Sequence, residues 1–199
     1  MEMTDTYCIS FFRKPIQNVE PLRAVDIVDL YRYIVGPYAQ PQTEALRPIV
    51  NPAEAKRYKA IHFDYCTFSG LFRKRNEKEL ISHTGLLCID FDGVPDVESL
   101  KAQLLQHEYF ETELLFTGPS GHGVKWVIPI DLKGWSHSRY FKAVVNCLRA
   151  TGLPPVDLSG SDVARACFLS YDPNAYIHPK YRDYVEENIF RPRLGECPF

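Results

Sequence analysis

One stretch of the chain decides the fold: Leu86-Leu87-Cys88-Ile89-Asp90-Phe91-Asp92. It opens with four apolar residues, which predict a buried strand, and ends on two carboxylates just before the breakers Gly93 and Pro95. Side chains alternate between the faces of a strand, so Asp90 and Asp92 project on one face. Two like charges so placed indicate a divalent cation with oxygen ligands, Mg²⁺ or Mn²⁺. A solvated strand end is the plain alternative.

The patterns downstream predict an α+β fold. Strand 86–92 is followed by a helix with Asp96 as N-cap, strands at 113–117 and 124–130, a helix from Ser136, and a last strand at 164–170. This order is the ferredoxin-like βαββαβ arrangement, which is also the plan of an RNA-recognition-motif core. We expect residues 86–175 to form this core and residues 1–85 to form an N-terminal α/β extension packed on it. Residues 176–199 are a C-terminal tail, and the whole is one integrated domain.

Within the extension, the patterns predict a strand at 7–12, an amphipathic helix at 21–35 and a helix opening at Pro52. Residues 61–68 are aromatic and β-prone.

Composition limits the classes of function. The 199 residues are 45% hydrophobic, enough for a full core, and the net charge of -2 excludes a uniformly basic nucleic-acid binder. Nucleic-acid contact must therefore be local, and the candidate is the run Arg73, Lys74 and Arg75, although a run of three charges is more often a solvated loop.

The sequence also indicates the cellular compartment and the oxidation state of the cysteines. No apolar run approaches the roughly 20 residues that span a bilayer, and the polar start has no signal-peptide shape. We expect a cytoplasmic protein without a membrane part. The six cysteines form no Cys-x-x-Cys pair, which favours reduced core thiols over a zinc site.

The turn between the second and third strands of the core is rich in glycine: residues 118–123 read Gly-Pro-Ser-Gly-His-Gly. Glycines let backbone amides approach an anion closely, which makes this hairpin a candidate phosphate cradle. Its candidate contacts are Ser120, Gly121, His122 and Gly123, with Lys125 placed just beyond to pair with a phosphate. A hairpin whose glycines serve only the turn, with a solvated His122, is the alternative.

Two acids precede the last predicted strand. Either Asp157 or Asp162 could supply a third carboxylate to a metal, and Arg165 could contact a phosphate in bidentate fashion. As isolated residues, all three are more typical of helix caps and surface positions than of a binding site.

Three segments in this order, residues 89–92, 118–125 and 162–173, resemble the VirE N-terminal family. Domains of that family occur in proteins of bacterial mobile elements, often ahead of a helicase-like ATPase region. The family is in turn similar to the archaeo-eukaryotic primase-polymerases, which implies a primase-polymerase type of core, a nucleoside triphosphate ligand, a DNA or RNA template and a role in mobile-element replication.

The resemblance also implies residue roles. Asp90 and Asp92 would bind the catalytic Mg²⁺ or Mn²⁺, and Asp157 is the best match to the third acid. The hairpin would hold the incoming triphosphate, clamped by Lys125 with Arg165. Lys125 stands where the primase histidine is expected, which departs from the pattern. The implied reaction is metal-dependent nucleotidyl transfer.

Two other classes of function compete with this interpretation. Strand 86–92 also looks like the first motif of haloacid dehalogenase-type phosphatases, with Asp90 as nucleophile, Asp92 as acid/base and Thr117 as the second-motif hydroxyl. Such a phosphatase needs a parallel sheet, whereas Thr117 leads directly into a hairpin. The other competitor is a non-catalytic nucleotide- or nucleic-acid-binding module that keeps the core and lacks the chemistry.

Overall fold

A computed structural model of the chain describes residues 7–186, and it confirms the α+β class. The tail beyond residue 186, with Cys197, lies outside the described residues. The N-terminal elements are β1 (Ile9–Phe12), β2 (Arg23–Val25), α1 (Ile27–Val35), α2 (Gln40–Leu46), α3 (Pro52–His62), β3 (Tyr65–Thr67), β4 (Gly70–Phe72) and β5 (Leu80–His83). The elements that follow are β6 (Leu86–Asp92), α4 (Val97–Leu105), β7 (Leu114–Thr117), β8 (Gly123–Pro129), α5 (His137–Ala150), β9 (Cys167–Phe168), β10 (Tyr176–Ile177) and α6 (Arg182–Glu186).

The central sheet has the order β10-β7-β8-β6, and each neighbouring pair is antiparallel. The first and third strands of the predicted core, β6 and β8, are therefore neighbours, as expected. Their register places Asp90 opposite Lys125 and Asp92 opposite Gly123. This pairing brings the acidic strand end beside the glycine-rich hairpin.

The two faces of the central sheet are buried against different elements. Ile89, Phe91 and Trp126 pack in one cluster with the apolar residues of α4 and α5. Leu86 and Val127 pack in the other cluster, with residues of α1 and β1. Because side chains alternate along β6 and β8, Asp90, Asp92 and Lys125 face the N-terminal elements.

The last strand of the predicted core differs from expectation. Instead of residues 164–170, only Cys167–Phe168 form β9, and β9 pairs with β3 in a second sheet of order β2-β1-β3-β9. A 3₁₀ turn at Leu158–Ser161 covers the free edge of β6 instead, and the Asp157 N–H donates to the Asp90 carbonyl over 2.8 Å. Pro154 and Pro155 precede this turn and lack the N–H groups that a strand beside β6 would donate.

The predicted N-cap at Asp96 is confirmed, since its side chain accepts the Ser99 amide. The helix predicted from Ser136 begins at His137, with Ser136 as its N-cap. The helix predicted at 21–35 begins six residues later, because residues 23–25 pair with β1 and Asp26 caps α1. Within residues 7–186, no helix is both long and apolar enough to cross a membrane.

The cysteines are not uniform. Cys66, Cys88, Cys147 and Cys167 are free thiols, whereas Cys8 is disulfide-bonded. The prediction that every cysteine is reduced is therefore wrong at Cys8.

Candidate functional site

Three carboxylates converge at the end of β6. One ligand oxygen from each of Asp90, Asp92 and Asp157 lies within 4.8 Å of the others, and no other group of this kind occurs in the described part of the chain. Asp162, the alternative third acid, instead accepts a hydrogen bond from the Ala164 amide over 2.9 Å. The structure thus brings Asp157 to the candidate metal site.

Asp157 is fixed by its own turn. Its Oδ1 accepts the Ser159 amide at 2.9 Å, and its Oδ2 accepts the Ser159 hydroxyl at 2.6 Å and Arg165 at 3.0 Å. Burial raises the pKa of this carboxyl, but the two Ser159 hydrogen bonds and the Arg165 charge outweigh burial and leave the pKa below its ordinary value. Asp157 is therefore an ionised, oriented carboxylate at neutral pH, as a metal ligand must be.

Asp90 is the innermost of the three acids and pairs with the Lys125 ammonium, which donates to Asp90 Oδ2. Burial raises the pKa of Asp90; Lys125 lowers it, Asp92 and Asp157 raise it again, and the net shift is upward. Burial disfavours the Lys125 ammonium, yet Cys167 and Asp90 hold the pKa of Lys125 above its ordinary value. This pair places a fixed positive charge against the acidic cluster.

The remaining oxygen of Asp90 indicates that the site is incomplete. Asp90 Oδ1 is buried and has no hydrogen-bond partner among the residues that the structure describes. A buried oxygen without a partner is costly, and an ion would satisfy it. Among residues 7–186, the cations that pair with these three carboxylates are Lys125 and Arg165, so one negative charge is left without an ion pair. The donor set and this orphan oxygen fit a hard divalent cation.

The hairpin closes on the same strand end. A Cβ at Gly123 would lie 2.8 Å from the Phe91 carbonyl oxygen and 3.3 Å from Asp92 Oδ1, so only glycine allows this approach. Gly121 adopts φ +80°, which also favours glycine. His122 is exposed, and its carbonyl accepts the Val94 amide at 2.8 Å. The predicted phosphate cradle therefore borders the carboxylates.

Residues 58–177 match the family described as BT4734-like, N-terminal domain. The chain belongs to this family. The resemblance to the VirE N-terminal family is corrected by this match, because the family found is a different one. No curated protein and no solved structure matches the chain.

The part of the chain that matches the BT4734-like family contains every residue predicted for the site, from the 73–75 cluster to Arg165. Arg73 and Lys74 are exposed, as a nucleic-acid contact requires. Arg75 is instead held by the Tyr65 hydroxyl at 3.2 Å and the Ile16 carbonyl at 3.3 Å. Its guanidinium lies 5.2 Å from the Tyr65 ring centroid, so Arg75 is already engaged within the protein.

Sequence reasoning missed the support behind Asp157. His137 Nε2 contacts the Gly160 carbonyl at 2.9 Å, and His137 Nδ1 lies 3.1 Å from His83 Nε2. The Gly85 amide donates to His83 Nδ1, so both rings are neutral and each hydrogen bond has one donor. Burial, and then His137, lowers the pKa of His83 to about 4. No motif links these distant histidines, because only the fold brings them together.

Sequence reasoning also missed two neighbours of the site. Cys88 lies two residues before Asp90, and Cys167 and Cys88 both raise the pKa of Lys125. The two-residue alternation of β6 could have placed Cys88 beside Asp90. Arg47, at the C-terminal end of α2, lies against Gly121 of the hairpin, and no pattern in the local sequence predicts this contact.

Proposed function

We propose that this domain binds a nucleoside triphosphate through Mg²⁺ or Mn²⁺ held by Asp90, Asp92 and Asp157, and that it catalyses nucleotidyl transfer. The observation that carries the proposal is the convergence of the three carboxylate oxygens within 4.8 Å of one another, with the buried Asp90 Oδ1 left without a described partner. The proposal rests on this geometry and the adjoining hairpin, not on the VirE resemblance.

Each group has a role that follows from its position. Asp92 and Asp157 are the more accessible carboxylates, while Asp90 anchors the cluster to the sheet, where Lys125 limits its repulsion from the other two. The bound cation would neutralise charge on the phosphates and on the departing pyrophosphate. The hairpin with Ser120 and Gly121 borders Asp92 and is the place for the phosphate chain. Arg165, with its side chain 51% exposed, can leave Asp157 for a phosphate oxygen.

DNA or RNA is the second ligand of this proposal. Its supporting observation is the exposure of Arg73 and Lys74 on the loop between β4 and β5. The helicase-like ATPase partner was implied by the corrected resemblance alone, so the geometry gives no support for it. Mobile-element replication was implied in the same way. The cytoplasmic location stays a prediction.

A non-catalytic binding module is the second candidate, and one observation favours it. Lys125 and Arg165 already pair with two of the three acids, so the protein's own cations neutralise much of the cluster. The phosphatase is not favoured, because every strand pair within residues 7–186 is antiparallel and Thr117 enters the β7–β8 hairpin directly.

The test separates binding from catalysis. We expect a fluorescent ATP analogue to bind in Mg²⁺ or Mn²⁺ and not in EDTA. Asp157→Asn should abolish binding, whereas the exposed Asp131→Asn, remote from the cluster, should bind like the wild type. Primer extension with labelled nucleotides then decides between the candidates. Binding of the ATP analogue without incorporation of nucleotides would support the non-catalytic binding module. The absence of metal-dependent binding would contradict the proposed function.

A further inference from the structure

Arg47 borders the candidate site without belonging to any predicted motif. It caps the C-terminal end of α2, and its side chain lies over the hairpin. A Cβ built at Gly121 would be 3.4 Å from Arg47 Nε and 3.7 Å from its Cδ. The missing side chain of Gly121 thus makes room for the arginine stem. The guanidinium lies beside a loop that closes, two residues later, on Asp92.

Helix α2, which has Arg47 as its C-cap, is one of the N-terminal elements. Others of these elements, α1 and β1, pack on the face of the central sheet that carries Asp90, Asp92 and Lys125. The Thr43 hydroxyl of α2 accepts the Tyr171 amide at 3.0 Å, which fixes this helix to the segment that follows β9. Arg47 therefore stands at the end of a helix that is hydrogen-bonded to the rest of the fold, beside the hairpin that borders the acidic cluster.

The positive charge of Arg47 is available to bind an anion. Arg47 is exposed and, within the described range 7–186, forms neither an ion pair nor a side-chain hydrogen bond. Lys125 and Arg165, the cations nearest the carboxylates, are each paired with one of them. Arg47 can therefore bind a polyphosphate without first giving up an ion pair, as Arg165 must, and a guanidinium suits phosphate oxygens because it donates in bidentate fashion.

We propose that Arg47 is a phosphate-binding residue of this site, which contacts the outer phosphates of the nucleotide where the chain crosses the hairpin. The inference rests on the proposed function and adds a residue from outside the part of the chain that matches the family, residues 58–177. The inference predicts that the end of α2 and the hairpin contact the polyphosphate on one side. The carboxylates would bind its metal on the other side.

The test compares Arg47→Gln, at the C-cap of α2, with Arg149→Gln, a change at another exposed arginine in the last turn of α5. The probes are Mn²⁺ alone, Mn²⁺ with ATP, and Mn²⁺ with inorganic tripolyphosphate, each measured by calorimetry. We expect Arg47→Gln to lower the affinity for ATP and for tripolyphosphate about 10-fold, which is the effect of losing one charge-assisted contact. The affinity for Mn²⁺ alone should not change, and Arg149→Gln should match the wild type throughout.

Other outcomes overturn the inference in distinguishable ways. If Arg47→Gln binds both probes like the wild type while Asp157→Asn does not, the proposed function stands and Arg47 has no part in it. If Arg47→Gln lowers the affinity for ATP but not the affinity for tripolyphosphate, the arginine contacts the nucleoside and not the phosphates. If the wild type binds neither probe with Mn²⁺, the proposed function and the inference both fail. Arg47 is exposed, so circular dichroism should show a folded variant.

Discussion

Lys125 lies directly across the β6–β8 pair from Asp90, and its ammonium donates to the carboxylate oxygen Oδ2 of Asp90. Their side chains are only 12% and 16% exposed. The two residues thus form a nearly buried ion pair whose other side faces Asp92 and Asp157. Lys125 supplies part of the positive charge that the cluster needs, and a divalent cation would supply the rest.

Replacing Lys125 tests whether the cluster needs positive charge. Lys125→Met leaves Asp90 buried beside two other carboxylates, and breaking a buried pair in this way should cost about 3 kcal/mol of unfolding free energy. In urea titrations at pH 7, millimolar Mn²⁺ should restore more stability to this variant than it adds to the wild type, because the ion replaces the lost charge. An equal gain in both proteins would contradict the account.

Lys101 offers a matched control away from the cluster. It is buried and pairs with Asp172 at 3.1 Å, and Asp172 also accepts the Thr117 amide at 2.7 Å. Lys101→Met should lose about 3 kcal/mol for the same reason as Lys125→Met. Mn²⁺ should add no more stability to this variant than to the wild type, since no carboxylate cluster surrounds Asp172 within the described residues. A selective rescue by Mn²⁺ would show that the ion acts elsewhere.

Gly123 should be intolerant of any side chain. In Gly123→Ala the new Cβ would meet the Phe91 carbonyl at 2.8 Å, which forces backbone movement and should cost about 1–3 kcal/mol. Because Asp92 is the cross-strand partner of Gly123, Mn²⁺ affinity should fall as well. Gly134→Ala is the control: it has φ +83° and open space around it, so it should cost about 1 kcal/mol and leave Mn²⁺ affinity unchanged.

The two neutral histidines should make folding sensitive to acid. The pKa of His83 falls from 6.5 to about 4 on folding, so between these values the unfolded chain binds more protons and stability declines as pH falls. His137, which also faces Asp162 and Glu77, has a lowered pKa because of burial. In thermal melts from pH 7 to pH 4, His83→Gln should show a shallower decline than the wild type. His62→Gln should keep the wild-type slope, and an unchanged slope in His83→Gln would refute the prediction.

Much of the core was accessible from local patterns. The apolar run of β6 and its acidic end, the cap at Asp96, the start of the helix near Ser136, and the hairpin after Thr117 all follow from neighbouring residues. These features were predicted correctly because each depends on side chains within a few positions of one another.

The features that local patterns could not decide depend on contacts between residues distant in sequence. Residues 164–170 read as a strand of the central sheet, but β9 joins β3, about 100 residues earlier in the chain. The choice between Asp157 and Asp162 turned on a 3₁₀ turn that hydrogen-bonds to Asp90. The contact of Arg47 with Gly121 joins the end of α2 to the β7–β8 hairpin, two segments that only the folded chain brings together.

The central claim is that the three carboxylates bind a divalent cation, and Mn²⁺ titration followed by electron paramagnetic resonance tests it most directly. We predict that the wild type binds Mn²⁺ in competition with Mg²⁺, that Asp157→Asn loses at least about 10-fold in affinity, and that Asp162→Asn binds like the wild type, because only Asp157 joins the cluster. A wild type that binds no Mn²⁺, or equal binding by Asp157→Asn and Asp162→Asn, would contradict the account.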